Sequence, residues 1–348
     1  MKDVTIQSDI TIRQAMKALD KTAEKCLLVV DENKKLLGTL TDGDLRRSIL
    51  AGEKFSVDIS GSYNTKPTIL IQNKYSTEEA KRLLRDLKLD LIPLVDENYL
   101  VVDYVTLSGI GGESRPKKSL DSVPVVIMAG GKGTRLEPFT KVLPKSLVPV
   151  HEKPIIEHII ESFTQLGCLD FYLTVNYKSK ILKAYFEELQ PDYHVIFVEE
   201  LHPLGTAGSL RFLDGQFKQP FFVTNCDIII KTDYASLYEF HKKGDYDVTL
   251  VASAKEYVIP YGTCELSSDG HLSHINEKPK YEYLINTGLY ILNPDVLNLI
   301  PENKFYHITH LVEEAKNKGK KVGVFPIDDD AWIDVGQWAE YKKVVERL

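Results

Sequence analysis

The stretch that most constrains this chain is VPVVIMA at Val123–Ala129 followed by GGKGTRLEPFTKVLPK at Gly130–Lys145. The apolar run has the length and composition of a buried strand. Gly130, Gly131 and Gly133 lack Cβ atoms, so the backbone after that strand can bend sharply and bring its N–H groups onto an anion. Lys132, Arg135, Lys141 and Lys145 face the single acid Glu137 in this segment, whereas the whole chain has a formal net charge of −7. A cationic, glycine-rich turn at the end of a strand in an acidic protein predicts a phosphate ligand.

Neither GxxxxGK[ST] nor GxGxxG occurs here. The string is instead GxGTR, followed by Pro138, Thr140 and Pro144-Lys145. It resembles the signature of the sugar-1-phosphate nucleotidyltransferases. The resemblance runs from about Val123 to the end of the chain, with further stretches in the family's order. These are Leu204–Gly208, Asn225-Cys226-Asp227, Tyr261-Gly262, Glu277-Lys278-Pro279, Asn286–Tyr290 and Trp332–Gly336. Across this region strand-like and helical runs alternate, with Ile155, Ile156, Ile159, Ile160 and Phe163 forming one helical stripe. The alternation predicts a Rossmann-like α/β domain over 123–348, GT-A-like, with a mainly parallel sheet covered on both faces.

The family resemblance implies a division of labour. Gly130, Gly131, Gly133, Thr134, Gly205 and Thr206 are expected to bind the nucleotide. Arg135 is expected on the triphosphate, Lys145 on the α-phosphate and Lys278 on the sugar phosphate. Tyr261, Gly262, Glu277, Asn286 and Thr287 are expected around the sugar, with Asp227 and Asp334 holding Mg²⁺. The chemistry fits these residues: the attacking group is a phosphate monoester with a second pKa near ~6, already ionised at neutral pH. No general base is needed, only positioning and charge neutralisation. Glu200 stands where thymidylyl-transferring relatives carry a Gln facing the base. A carboxylate only accepts hydrogen bonds and matches the N1–H and 2-amino donors of guanine. GTP is therefore the expected donor, with thymidylyl or uridylyl transfer as the alternative. The acidic run Asp328–Asp330 reads as a solvated turn, and His151, His158, His241 and His310 read as structural.

The first third of the chain contains a repeat. Asp31-Glu32-Asn33 recurs as Asp96-Glu97-Asn98, and Ala15, Leu19, Val30 and Thr41 match Ala80, Leu84, Val95 and Thr106 at the same offset. Each copy reads as a helix followed by two strands. This region, 1–112, with repeats of about 1–60 and 61–112, resembles a tandem pair of α+β CBS domains. The likeness is clearest in Gly38–Arg47. It implies an adenine nucleotide at Thr41 and Asp44, the alternative being a dimerisation or packing module without a ligand; the second copy has Leu107, Ser108 and Gly109 where the first has Asp42, Gly43 and Asp44. Residues 113–122, rich in Ser, Lys and Pro, read as a linker.

At 348 residues the chain has room for two domains. The start MKDVTIQSDI has no apolar leader and no run approaches a membrane span, so a cytoplasmic protein is expected, without membrane contact. The negative charge argues against a nucleic-acid surface. Cys26, Cys168, Cys226 and Cys264 show no zinc spacing and read as reduced thiols. The arrangement of CBS pair and transferase resembles guanylyltransferases of bacterial surface-sugar pathways, implying GTP, a sugar 1-phosphate such as glucosamine or another hexose or heptose 1-phosphate, and a homo-oligomer. A GT-A glycosyltransferase lacks the GxGTR…PK loop. A non-catalytic nucleotide sensor has no use for Arg135, Lys145, Lys278 and both Asp residues together.

Overall fold

A computed structural model describes residues 3–22, 24–111 and 120–347, with the side chains of 343–347 left out. The segment expected as a linker, 113–122, lies outside the described residues as far as 119. The chain divides into two compact units. One comprises Met1–Pro116 with Ala254–Tyr283, the other Lys117–Ser253 with Leu284–Leu348. Sequence reading expected a single break near residue 120, and did not assign Ala254–Tyr283 to the first unit. No helix among the described residues is long and apolar enough to cross a membrane.

The second unit is built on a seven-stranded sheet in the order 194–199, 170–175, 125–128, 221–225, 280–292, 248–258, 322–328. The first four strands are parallel, and Lys280–Leu292 joins antiparallel to Phe221–Asn225. Alternate residues of the central strand serve two cores. Val125 and Ile127 pack with the helix Ile155–Thr164 through its Ile155, Ile156, Ile159, Ile160 and Phe163 stripe. Val126 and Met128 pack on the other side with Leu210, Tyr290 and the helix Ile308–Asn317. Burial on both faces is why this strand is continuously apolar rather than alternating. The parallel strands end at one edge of the sheet, where Gly130 and Cys226 begin their loops.

In the first unit the duplication holds in detail. The strands Thr5–Gln7, Cys26–Val30 and Leu36–Thr41 form one three-stranded sheet, and Leu70–Ile71, Leu91–Val95 and Val101–Thr106 the other. In both, the first pair is parallel and the second antiparallel. A register irregularity falls between Val29 and Val30 and again between Leu94 and Val95. The Asp31 carboxylate accepts from the Asn33 and Lys35 N–H groups, and Asp96 accepts from Asn98 and Leu100 in the same way. Lys34 and Tyr99, the matching turn residues, both have positive φ. The two copies meet where Lys35 bridges Leu100, with Leu36 N–H donating to Tyr99 O and Val101 N–H to Lys34 O. Lys35 and Leu100 are repeat mates, and the two hydrogen bonds around them exchange under the repeat offset, so a pseudo-two-fold axis passes between the copies.

Thr41 and Asp44 form a reciprocal cap on the helix Asp42–Leu50. The Thr41 hydroxyl accepts from Asp44 N–H (3.2 Å) and donates to Asp44 Oδ2 (2.6 Å), which also accepts from Thr41 N–H (2.8 Å). Arg47 adds an ion pair to the same carboxylate. Loss of such a cap costs about 1 kcal/mol. Thr41→Ala is expected to lower amide-exchange protection of Asp42–Leu50 roughly five-fold at unchanged protection of Val125–Met128. Equal protection in variant and parent removes the cap from the account.

Candidate active site

The loop after Val125–Met128 is held from within. Gly133 lies in the left-handed region (φ 66°), and a Cβ there would stand 2.9 Å from both Thr140 Cγ2 and Lys145 Cβ. The Thr140 hydroxyl donates to Gly133 O at 2.9 Å. Thr134 opens a short helical turn, Thr134–Leu136, and Thr134, Gly131 and Arg135 stay exposed. The loop therefore packs its far end, Lys145, onto its own glycine turn while leaving cationic and N–H groups at the surface.

Lys145 is paired with Asp227 Oδ2, both side chains being mostly buried. Asp227 follows the strand Phe221–Asn225 and precedes Ile228–Ile230, which pairs antiparallel with Trp332–Asp334. The register sets Ile228 opposite Asp334. Val335 N–H donates to Asp227 O (2.9 Å), and Gly336 N–H donates to Asp334 Oδ1 (2.8 Å). The two carboxylates converge on Gly336, where a Cβ would lie 2.2 Å from Asp227 Oδ2 and 2.9 Å from Asp334 Oδ1. Arg135, Asp227, Asn286 and Asp334 line one cleft of about 270 Å³. Burial pushes the neighbouring Cys226 thiol up to about 12, so it adds no charge.

Glu200 sits between the two glycine turns. Its Oε2 accepts from Leu204 N–H at 3.1 Å, and its Oε1 would lie 3.0 Å from a Cβ on Gly130. Burial raises its pKa, against the opposing pull of the Leu204 N–H. The second turn, with Gly205 at φ 81°, rests on a strap that sequence reading missed. Ala207 and Gly208 N–H groups donate to Tyr306 O, Tyr306 N–H donates to Leu204 O, and Ile308 N–H donates to the Thr206 hydroxyl. A Cβ on Gly205 would meet Tyr306 O at 2.6 Å. The strap acts through backbone atoms, so no residue type announces it.

Other expected residues fall differently. Asn286 lines the cleft, with its amide nitrogen donating to Tyr290 and its Oδ1 accepting from Gly288 N–H. Thr287 is buried and its hydroxyl donates to Val251 O. Tyr261, Gly262, Glu277 and Lys278 belong to the first unit, all exposed, on the hairpin arm Thr263–Leu266 and Leu272–Asn276. There Glu277 Oε2 lies 3.0 Å from where a Gly262 Cβ would stand. Asp328, expected as part of a solvated turn, is instead buried and its Oδ1 accepts from Asp330 N–H. A carboxylate oxygen that accepts from a backbone N–H in a tight turn has a local partner, which lets the side chain leave solvent. His241 is structural, bonded to Thr249 and Asn293.

A family model described as Nucleotidyl transferase matches residues 124–348, and one described as CBS domain matches residues 1–51. The chain belongs to the nucleotidyl transferase family. Mannose-1-phosphate guanyltransferase 2 of Candida glabrata is 36% identical over 222 residues, covering 61% of each chain. The mannose-1-phosphate guanyltransferase of Schizosaccharomyces pombe is 37% identical over 226 residues, covering 62% of this chain and 61% of that protein. The chain thus spans about three-fifths of the length of these relatives. Among solved structures, HddC from Yersinia pseudotuberculosis matches with a TM-score of 0.51 and 27% identity, over 65% of this chain and 99% of that one.

In this nucleotidyl transferase the convergence on Gly336 gives a direct test. Gly336→Ala is expected to lower turnover about 10²-fold, because its Cβ displaces carboxylates by around an ångström. Far-ultraviolet circular dichroism is expected to be unchanged. Turnover within a factor of two of the parent refutes the requirement for this approach.

Proposed function

We propose that the chain transfers a guanylyl group from GTP to a sugar 1-phosphate, giving a GDP-sugar and pyrophosphate. The convergence of Asp227, Asp334 and Lys145 beside the Gly130–Lys145 loop carries this reading. The names of the relatives, mannose-1-phosphate guanyltransferases, support it. A sugar-phosphate oxygen bonds to the α-phosphorus as the α–β bridge bond breaks and pyrophosphate leaves. Arg135, exposed at the cleft, takes the leaving phosphates. Lys145, fixed on Asp227, offers its remaining N–H donors to the α-phosphate.

Two adjacent carboxylates suit Mg²⁺, which binds hard oxygens and keeps several waters. No group of three or more His, Cys, Asp or Glu side chains forms an alternative metal cage among the described residues. Bound at Asp227 and Asp334, the ion supplies charge neutralisation at the reacting phosphates. Lys278 and Glu277 on the arm serve the sugar phosphate and sugar hydroxyls. An adenine nucleotide at Thr41 and Asp44 has to displace the bonds these two make with each other.

Pyrophosphate release with GTP and a panel of mannose, glucosamine and heptose 1-phosphates tests the reaction. No release with any pair of nucleotide and sugar phosphate overturns it. Asp227→Asn and Asp334→Asn are each expected to lose at least ~10²-fold in Mg²⁺-dependent turnover while remaining folded. Near-parental activity at limiting Mg²⁺ removes that residue as a ligand.

Glu200 is the proposed base selector, through a bidentate pair with guanine N1–H and the 2-amino group. The pair needs the ionised carboxylate, and burial makes ionisation harder. The KM for GTP is therefore expected to rise as pH falls toward that raised pKa, at a higher pH than an exposed carboxylate would require. Glu200→Gln is expected to lose at least ~10-fold with GTP and to show no such pH dependence. Stability moves the opposite way. The folded-state pKa is raised above the unfolded value, so the buried carboxylate opposes folding at neutral pH and that penalty fades as pH falls through the folded pKa. Glu200→Gln is thus expected to match or exceed the parent's Tm at pH 7. A parent preferring dTTP or UTP, or a variant with the same nucleotide ranking, removes Glu200 from this role.

A further inference from the structure

The first unit holds the hairpin arm in a particular way. The arm leaves along Val248–Val258 and returns along Lys280–Leu292, and one residue on each rail is gripped. On the outgoing rail, Ala254 is buried in the core formed by Ile12, Phe55 and Leu91, and its carbonyl accepts from Arg13 Nη1 at 3.2 Å. On the return rail, Glu282 Oε2 accepts from Phe55 N–H at 2.9 Å. Phe55 joins the two grips. Its carbonyl accepts from Arg13 N–H at 3.1 Å, and the Arg13 guanidinium lies over its ring at 5.6 Å.

The pattern along the return rail is unusual. Tyr281 and Tyr283 are exposed and stacked on each other, while the carboxylate between them turns inward. Arg13 Nη2 and Glu282 Oε1 are buried without hydrogen-bond partners. Burying such atoms is unfavourable, and an apolar contact would hold two surfaces together at less cost in desolvation. Polar grips of this kind fix position rather than add adhesion. What they position is the far end of the arm. Lys278 stands four residues from Glu282, in a bend with positive φ just before the return strand. Tyr261 lies seven residues beyond Ala254. A small tilt at the grip therefore displaces Lys278, Glu277 and Tyr261 by an ångström or more, enough to weaken a phosphate contact substantially.

We propose that Arg13 and Glu282 are positioning residues for the sugar 1-phosphate, acting through Phe55 to hold the arm that carries Tyr261, Glu277 and Lys278. This rests on the reading of the arm as the sugar-phosphate side of a guanylyltransferase.

The full-length protein is assayed as parent, Glu282→Ala, Glu282→Gln and Arg13→Met. Glu282→Ala and Arg13→Met are expected to raise the KM for the sugar 1-phosphate at least ~10-fold, with the KM for GTP within about two-fold of the parent. Glu282→Gln keeps an oxygen for Phe55 N–H and is expected to stay within about three-fold of the parent in both constants. Equal rises in both KM values, or a Gln variant as impaired as Ala, overturn the proposal. Amide exchange provides a readout independent of activity. Residues 254–283 are expected to exchange at least ~10-fold faster in Glu282→Ala, with 170–175 and 221–225 unchanged. If the parent shows no guanylyl transfer but the arm loosens as described, the grip stands and the reaction assignment fails. If exchange is unchanged, the grip itself is refuted.

Discussion

The cleft of the second unit depends on holding two carboxylates together. Asp227 and Asp334 approach the same glycine from different segments, and such an arrangement is repulsive unless something offsets it. Three contacts do so. Lys145 sits on Asp227, Gly336 N–H binds Asp334, and Val335 N–H ties the Asp227 backbone to the same turn. These partners come from the glycine loop and the C-terminal ribbon, while the sheet fixes Asp227 at the end of a strand. The loop, the sheet and the ribbon must all be in place before the site exists, so folding free energy is what preorganises it.

Much of this was legible because local rules and global structure agree. The apolar run Val123–Ala129, the Ile155–Phe163 stripe and the glycine turns each point to the elements found. The duplication was equally readable, since a turn built on Asp31 and its copy on Asp96 needs the same residues at the same places. What sequence could not show was use of the backbone. The Tyr306 carbonyl strap behind Gly205–Gly208 and the antiparallel register bringing Asp334 to Asp227 depend on main-chain atoms that every residue carries. Asp328 illustrates the converse error. An acidic run suggests solvent, yet Asp328 is buried, with one carboxylate oxygen on a local N–H.

The assignment of the arm was invisible for a different reason. Arg13 and Ala254 are separated by 241 residues, and Phe55 and Glu282 by 227. Neither pair has a periodicity or spacing that links it. Glu282 taken alone, between two tyrosines on a strand, reads as an exposed charge on an alternating face. Only the Phe55 N–H, which must find an acceptor when buried, explains why the acid faces inward.

The same segment, around Phe55, marks where the duplicated region departs from symmetry. At the pseudo-two-fold axis the copies are equivalent to the level of single hydrogen bonds. They part company after the third strand of each. In the first copy Thr41 and Asp44 cap a nine-residue helix. In the second, Thr106 accepts from Gly109 N–H, and residues 107–111 form a turn. The first copy's helix leads into the segment carrying Phe55 and on to Asn64, whose N–H donates to Thr39 O and whose carbonyl takes the Thr39 N–H. Gly38 permits that approach, since a Cβ there would stand 2.3 Å from the Asn64 carbonyl oxygen. The equivalent position in the second copy is Asp103, which has a Cβ. Among the described residues only the first copy offers such a segment, and it is the one that supplies Phe55. The departure from symmetry that removes the Asp42–Asp44 pattern from the second copy therefore coincides with the use of the first copy to hold the arm.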